Sequence, residues 1–162
     1  MLKRACVAGI ISAALASSGD AFADSGVVEV TDCFSGSLQP ITAVGDTFYA
    51  AWSHAGVRRA KTPGGPFDGM SGRCVGFVWR NGEGMHGRSG CEFVDAQGDR
   101  VFIENQREGD SGVWKFVGGT GKYLGLTGNG EYLDWGYFPR LDDETYQQCP
   151  VSRGRYEIPK KP

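Results

Sequence analysis

Arg73, His86 and Glu92 are the residues whose types and spacing come nearest to acid-base chemistry, because they fall on two adjacent β-rich runs, GRCVGFVWR and MHGRSGCEF. An arginine facing a glutamate, with a histidine facing Trp79, has the composition of a proton-transfer pair beside an aromatic platform. The competing assignment is an exposed cross-strand ion pair contributing about 0.2–1 kcal/mol. Which applies depends on how the two runs are folded against each other.

Asn81-Gly82-Glu83-Gly84 separates them and predicts a hairpin loop, so that Arg80 faces Met85 and paired residue numbers sum to 165. Arg73 then meets Glu92, Trp79 meets His86, and Cys74 meets Cys91. A two-residue turn at Asn81-Gly82 would slip the pairing by two, keeping the faces but moving Cys74 opposite Ser89. The next turn, Asp95-Ala96-Gln97-Gly98-Asp99, sets Val94 against Arg100 and sorts a third strand. One face carries Gly72, Cys74, Gly76, Val78, Met85, Ser89, Cys91, Phe93, Val101 and Ile103. The other carries Arg73, Phe77, Trp79, His86, Arg88, Glu92, Arg100, Phe102 and Glu104. Its five Arg and Glu charges do not belong in a small core, so this second face is expected to point outward. That favours the ion-pair assignment; were the protein an enzyme, Arg73, His86 and Glu92 would be its catalytic candidates. It also leaves Phe77, Trp79 and Phe102 as an outer aromatic patch suited to a subunit or partner.

Other strands are expected at Val27–Phe34, Thr47–Arg59, Val113–Val117, Leu124–Leu133 and Gly154–Ile158, with a proline-stiffened loop over Lys61–Pro66. No stretch after the leader has a helical period, and many of the 26 glycines interrupt strands, as a sheet that coils and closes requires. The class is therefore all-β, a sandwich or a single antiparallel barrel. Inside, the small Gly72, Gly76 and Ser89 lie beside the large Phe48, Trp52, Phe93, Ile103, Trp114 and Phe116. Such a mixture fits complementary packing or a ligand cavity, since a barrel of about eight strands accommodates either. In the second case those six large residues are the ligand-binding candidates.

Two motifs reduce to turns. Gly118-Gly119-Thr120-Gly121-Lys122 ends like a phosphate loop, but Phe116 and Tyr123 stand where that loop needs Gly and Ser or Thr. Asp95 and Asp99 faintly resemble a calcium loop, with Ala96 and Gln97 where oxygen ligands are wanted.

Residues 1–23 read as a secretory signal: Lys3 and Arg4, an apolar run from Ala5 to Leu15, and the exit Ala21-Phe22-Ala23. Cutting after Ala23 leaves residues 24–162 as one barrel domain of 139 residues, periplasmic or secreted. Its charge shifts from −2 to −3, because Lys3, Arg4 and Asp20 leave together. A weakly acidic chain without a basic stripe argues against nucleic acid, and no membrane anchor is expected. Four cysteines remain, allowing three pairings. In an oxidising compartment two disulfides are expected, Cys74–Cys91 across the hairpin and Cys33–Cys149 tying the first strand to the last. No short cysteine spacing suggests a metal, and no cofactor motif is present.

PFDGMSGRCVG (66–76), CEFVDAQGD (91–99), VGGTGKYLGLTGNG (117–130), Tyr137-Phe138-Pro139 and Gln148-Cys149 together resemble secreted bacterial proteins with an allene-oxide-cyclase-like barrel domain, distant relatives of plant dirigent proteins. The resemblance covers most of the chain after the leader. It implies an eight-stranded antiparallel barrel of calycin type, often a homotrimer formed through an outer face. The plant relatives act on hydrophobic lipid or phenolic intermediates, whereas the bacterial members are largely without an assigned activity. No position here matches the plant catalytic residues. The leading expectation is a non-catalytic exported barrel that binds a small apolar or aromatic ligand, motivated by the uncharged interior face. An isomerase or cyclase acting on a hydrophobic intermediate, and an assembly protein using the outer aromatics, are the alternatives.

Overall fold

The computed structural model describes residues 22–134, 136–142 and 144–160; most of the expected signal, residues 1–21, lies outside the described residues. Nine antiparallel strands make up most of the described chain: β1 (Phe22–Val44), β2 (Thr47–Ala60), β3 (Met70–Asn81), β4 (Gly84–Val94), β5 (Arg100–Glu108), β6 (Ser111–Gly119), β7 (Thr127–Asp134), β8 (Thr145–Gln148) and β9 (Val151–Pro159). Each of β1 to β6 pairs with the next, β7 pairs with β9, and β9 returns to β1, so the sheet closes on itself. β8 lies in line with β9 along the same edge of β1, because paired numbers sum to 182 both at Phe34↔Gln148 and at Thr31↔Val151. Cys149 and Pro150 separate the two segments. Proline has no N–H to give the ladder, although the Asp32 amide still donates to the Pro150 carbonyl at 3.0 Å. The barrel therefore has eight wall positions built from nine segments.

The central hairpin takes the register set by the Asn81–Gly84 loop, with Cys74 opposite Cys91, Arg73 opposite Glu92 and Trp79 opposite His86. The following turn pairs Val94 with Arg100. Cys74, Phe93, Val101 and Ile103 are buried while Arg73, Phe77, Arg88 and Glu104 are exposed, so the cysteine-bearing rows are the inner ones. β1 runs ten residues beyond the expected Phe34, past Gly36, Ser37 and Pro40, which blur its alternation, and a register shift between Pro40 and Thr42 lets it continue. β7 starts later than expected, because a 3-10 turn at Gly121–Tyr123 occupies the chain just before Leu124. β8 has no counterpart in the sequence reading.

Aromatic rings pack directly against glycines of the wall. A Cβ at Gly72 would collide with Phe93, one at Gly76 with Trp52, and one at Gly130 or Gly154 with Trp114. Much of the glycine excess thus makes room for large inward rings.

One end of the barrel is closed by the 61–69 loop. The Asp68 carboxylate accepts hydrogen bonds from the Gly64 amide at 2.9 Å and the Ala60 amide at 3.0 Å, which fixes the loop's path. Phe67 adopts φ 67°, an uncommon conformation for a bulky residue, and turns its ring into the barrel. There it stacks on Phe116 and Tyr123 and meets the edge of Tyr156, with centroids 5.2, 5.6 and 5.1 Å away. Burial of this ring and its aromatic contacts offset the backbone strain.

Two disulfides staple the wall, Cys74–Cys91 and Cys33–Cys149, separated in sequence by 17 and 116 residues. Such bonds persist in oxidising, extracytoplasmic compartments. The longer loop constrains the unfolded chain more, and roughly 2–4 kcal/mol is typical of either kind. Phe67→Ala should lower stability by about 3–5 kcal/mol, read as a lower urea midpoint with an unchanged m-value.

Candidate functional site

The opposite end of the barrel is not filled by the described residues. A cavity of about 410 Å³ opens there, walled by Phe34, Leu38, Phe48, Trp52, Val78 and Phe93 among its apolar residues. Ile103 and Trp114 complete the apolar wall, and the 136–142 segment contributes Tyr137, Phe138 and Arg140 at the mouth. That segment is tied down by the Gly136 carbonyl, which accepts from the Cys149 amide at 3.1 Å, and by Tyr137, whose hydroxyl accepts from Arg107 Nη1 at 2.6 Å.

The floor of this pocket is charged, which corrects the expectation of an uncharged interior. The three strands sorted from sequence do present uncharged inner rows, but β1 and β2 add Asp32 and Arg58, only 3% and 4% exposed. They are register partners. Arg58 Nε donates to Asp32 Oδ1 at 2.7 Å and Nη2 to Oδ2 at 2.8 Å, a two-pronged pair of the geometry that gives arginine–carboxylate bonds their strength. The guanidinium also lies 3.7 Å from the centroid of Phe93, a cation–π contact in a dry setting.

His54 stands nearer the mouth, stacked on Phe34 at 4.0 Å and tilted against Trp52 at 4.6 Å. Burial pushes its pKa down to about 4, so the ring is neutral at ordinary pH. The Tyr146 hydroxyl is 3.1 Å from Nδ1, and Gln148 Nε2, a donor only, is 3.5 Å from it. Nδ1 is then the acceptor and Nε2 carries the hydrogen. Asn105 links β5 to its neighbours, donating to Ser89 Oγ at 3.0 Å and Cys91 Sγ at 3.2 Å while accepting from the Tyr132 hydroxyl. Burial, then the Asp32 charge, raises the Tyr132 pKa; burial also raises that of Tyr146.

Four of the six buried side-chain polar atoms without a hydrogen-bond partner among the described residues are His54 Nε2, Arg58 Nη1, Trp114 Nε1 and Ser152 Oγ; the other two, His86 Nε2 and Asp95 Oδ2, lie elsewhere, the latter ion-paired with Lys122. All four belong to side chains of this one pocket wall. Each such atom costs about 1–3 kcal/mol if left unsatisfied, so their grouping in one cavity marks a place where something polar is received. His54, Cys74 and Cys91 bring potential metal ligands within 4.8 Å of one another, but both sulfurs are consumed in a disulfide and metal ligation needs the thiolate.

Of the six ligand-binding candidates, Phe48, Trp52, Phe93, Ile103 and Trp114 lie on the pocket wall. Phe116 does not; it packs against Phe67 and Trp114 within the core. Arg73, His86 and Glu92 do not come together as a site. Arg73 Nη2 pairs with Glu92 at 2.8 Å on the outer face, where Arg100 also contacts it, and these two arginines, Arg100 first, hold the Glu92 carboxyl below its usual range. His86 Nδ1 lies 2.6 Å from Glu108 and the ring stacks on Trp79. Phe77 and Trp79 continue an outer row with Tyr49, and Phe102 sits across from Glu92 on the same face. The two turn motifs interlock: Lys122 Nζ bonds Asp95 Oδ2 at 2.6 Å and Gln97 at 3.0 Å.

The sequence reading missed Asp32 and Arg58 as site residues. Parity held the signal: Asp32 shares alternation with the inward Val28, Val30 and Phe34, and Arg58 with Ala50 and His54.

No protein-family model matches the sequence, and no curated protein matches it. Solved structures do. A pterocarpan synthase dirigent protein superposes with a TM-score of 0.52 at 11% identity, covering 93% of this chain and 99% of the other. A second pterocarpan synthase dirigent protein gives 0.53 at 14% identity, covering 87% and 99%. The chain has a dirigent-like barrel fold. At such identities the likeness is one of fold, and the chemistry has to be argued from the pocket itself.

Two outcomes are expected of the wall. Arg58→Met should cost about 3–5 kcal/mol by stranding the Asp32 carboxylate, while Asp32→Leu with Arg58→Met should recover most of it in the same denaturation assay. His54 has a folded pKa of about 4 against 6.5 for the free side chain, so as pH falls the unfolded chain takes up the proton first. Its contribution is full above about pH 6.5 and declines down to about pH 4, by at most about 3 kcal/mol. His54→Gln should flatten that part of the stability–pH curve.

Proposed function

We propose that this protein is an exported, non-catalytic barrel that holds one small ring-bearing or aliphatic molecule in its open end. The observation that carries the reading is the 410 Å³ cavity with an aromatic and aliphatic wall and four unpartnered polar atoms among its side chains. Its volume lies within the range usual for small-ligand sites, as does a mostly apolar lining with few polar groups. The expected signal at residues 1–23 and the disulfides support a periplasmic or extracellular location. The motifs that resemble the allene-oxide-cyclase-like domain support placing the chain in that branch of dirigent-like barrels.

An isomerase or cyclase needs a buried ionisable or hydroxyl group at the wall, and Asp32, His54, Tyr132 and Tyr146 meet that requirement. Proton transfer works best from groups whose pKa lies near the working pH. Here the shifted groups move away from neutrality, His54 downward and both tyrosines upward, so they are suited to donating hydrogen bonds and poorly suited to exchanging protons. Binding is therefore the reading adopted, with turnover the alternative.

The test is native mass spectrometry of protein purified from its own host, followed by titration of the released compound back into emptied protein. One bound molecule per barrel is expected, with affinity reduced about tenfold or more by Trp52→Ala. Release of a chemically altered compound would move the assignment to an enzyme, and an empty barrel with no affinity for apolar probes would remove the binding reading.

A further inference from the structure

We infer that the pocket is built for an organic anion, a small aromatic or aliphatic carboxylate whose oxygens are received by Arg58 and the neighbouring unpartnered donors. This rests on the binding reading above and adds the charge and the functional group of the ligand.

The first observation is the balance of charge on the wall. The whole chain carries −2, yet among the described residues the side chains on the pocket's inner rows and mouth include Arg58, Arg80, Arg107 and Arg140 with Asp32 as the one acid, a local surplus of 4 − 1 = +3. Two further described carboxylates, Glu108 and Asp142, are both engaged. Glu108, near Arg88, is bonded by Gln106 and His86, and Asp142, near Arg140, accepts from Thr145 and the Glu144 amide. Among the described residues of the wall a cationic ligand would find no free carboxylate, since Asp32 already spends both oxygens on Arg58.

The second observation is the sign of the unmet hydrogen-bonding capacity. Arg58 gives Nε and Nη2 to Asp32 and leaves Nη1 without a partner, buried at 4% exposure. Arg58 Nη1 and Trp114 Nε1 are donors only. His54 Nε2 carries a hydrogen, because Nδ1 faces the amide nitrogen of Gln148. The Ser152 hydroxyl can donate as well. A ligand that satisfies this set must bring acceptors, and a carboxylate brings more lone pairs than an alcohol, amide or ether of the same size. Phe48, Trp52, Phe93 and Val78 supply the apolar surface for its body.

The third element is position. Arg80 and Arg140 are exposed, while Arg58 is deep. The outer arginines attract an anion from solution and offset the two carboxylates that would then share Arg58. Such steering weakens with salt, whereas the buried contact is screened much less.

The experiment is calorimetric titration of the purified protein near pH 7 with two carboxylates, 2-naphthoate and decanoate, each beside its neutral primary amide. At least one carboxylate should bind about tenfold or more tightly than its amide in about 50 mM salt, and the gap should narrow in about 500 mM salt. Arg80→Gln with Arg140→Gln, at exposed positions that leave the core untouched, should weaken the carboxylate about threefold or more and leave the amide unchanged. Ser152→Ala, which removes an unpartnered hydroxyl and leaves the backbone pairing intact, should also weaken the carboxylate preferentially. Equal binding of acid and amide, or tighter binding of 2-naphthylmethylammonium, would overturn the anion assignment while leaving the binding reading in place. Binding of none of these probes would overturn both.

Discussion

Closure of the sheet is the constraint on which everything else rests. An open sheet of this size would expose two unpaired edges, and a closed one needs a strand that serves both its first and its last neighbour. β1 does so, pairing with β2 along Val30–Val44 and with β9 along Phe22–Thr31, with β8 continuing the seam. The weak point is Pro150, where the ladder lacks an amide. Cys33 and Cys149 sit at that gap and bond across it. The seam is thus covalent where its hydrogen bonding is thinnest.

Closure also decides what the interior can be. Rings fill the end under the 61–69 loop, where Phe67, Phe116, Tyr123 and Tyr156 meet. The other end has long wall strands and a covering segment, but no comparable plug among the described residues. Between the two lies the Asp32–Arg58 pair. A buried ion pair is weak evidence for stability, because desolvation opposes the Coulomb gain. Its placement at the boundary between packed and hollow halves gives it a different significance: it keeps a fixed charge and a spare N–H in the dry part of a cavity.

The hairpin geometry was legible because a short glycine-rich loop fixes register and five charges fix the face. From those two facts follow the inner rows, the cysteine pair and the outward Arg73 and Glu92. The site was half legible. Large aromatics on inward parity pointed to Phe48, Trp52, Phe93 and Trp114, but Phe116 shares that parity and belongs to the core, since alternation gives the side of a wall and not the height along it. Asp32 and Arg58 escaped because their strands were not sorted against each other; β1 pairs with β2 through a two-residue turn at Gly45-Asp46, a glycine-first hairpin signal that goes unused when the first strand is ended at Phe34. β8 escaped because four residues beyond an irregular segment have too little pattern to read.

The Cys74–Cys91 bond does more than staple a hairpin, because both sulfurs lie on the chamber wall. In the reduced form they would be nucleophiles facing whatever enters. Oxidised, they offer no thiolate, and the neighbouring imidazole keeps its proton on the nitrogen that has no partner. A guest bearing an electrophilic carbon would therefore meet no thiolate on this part of the lining.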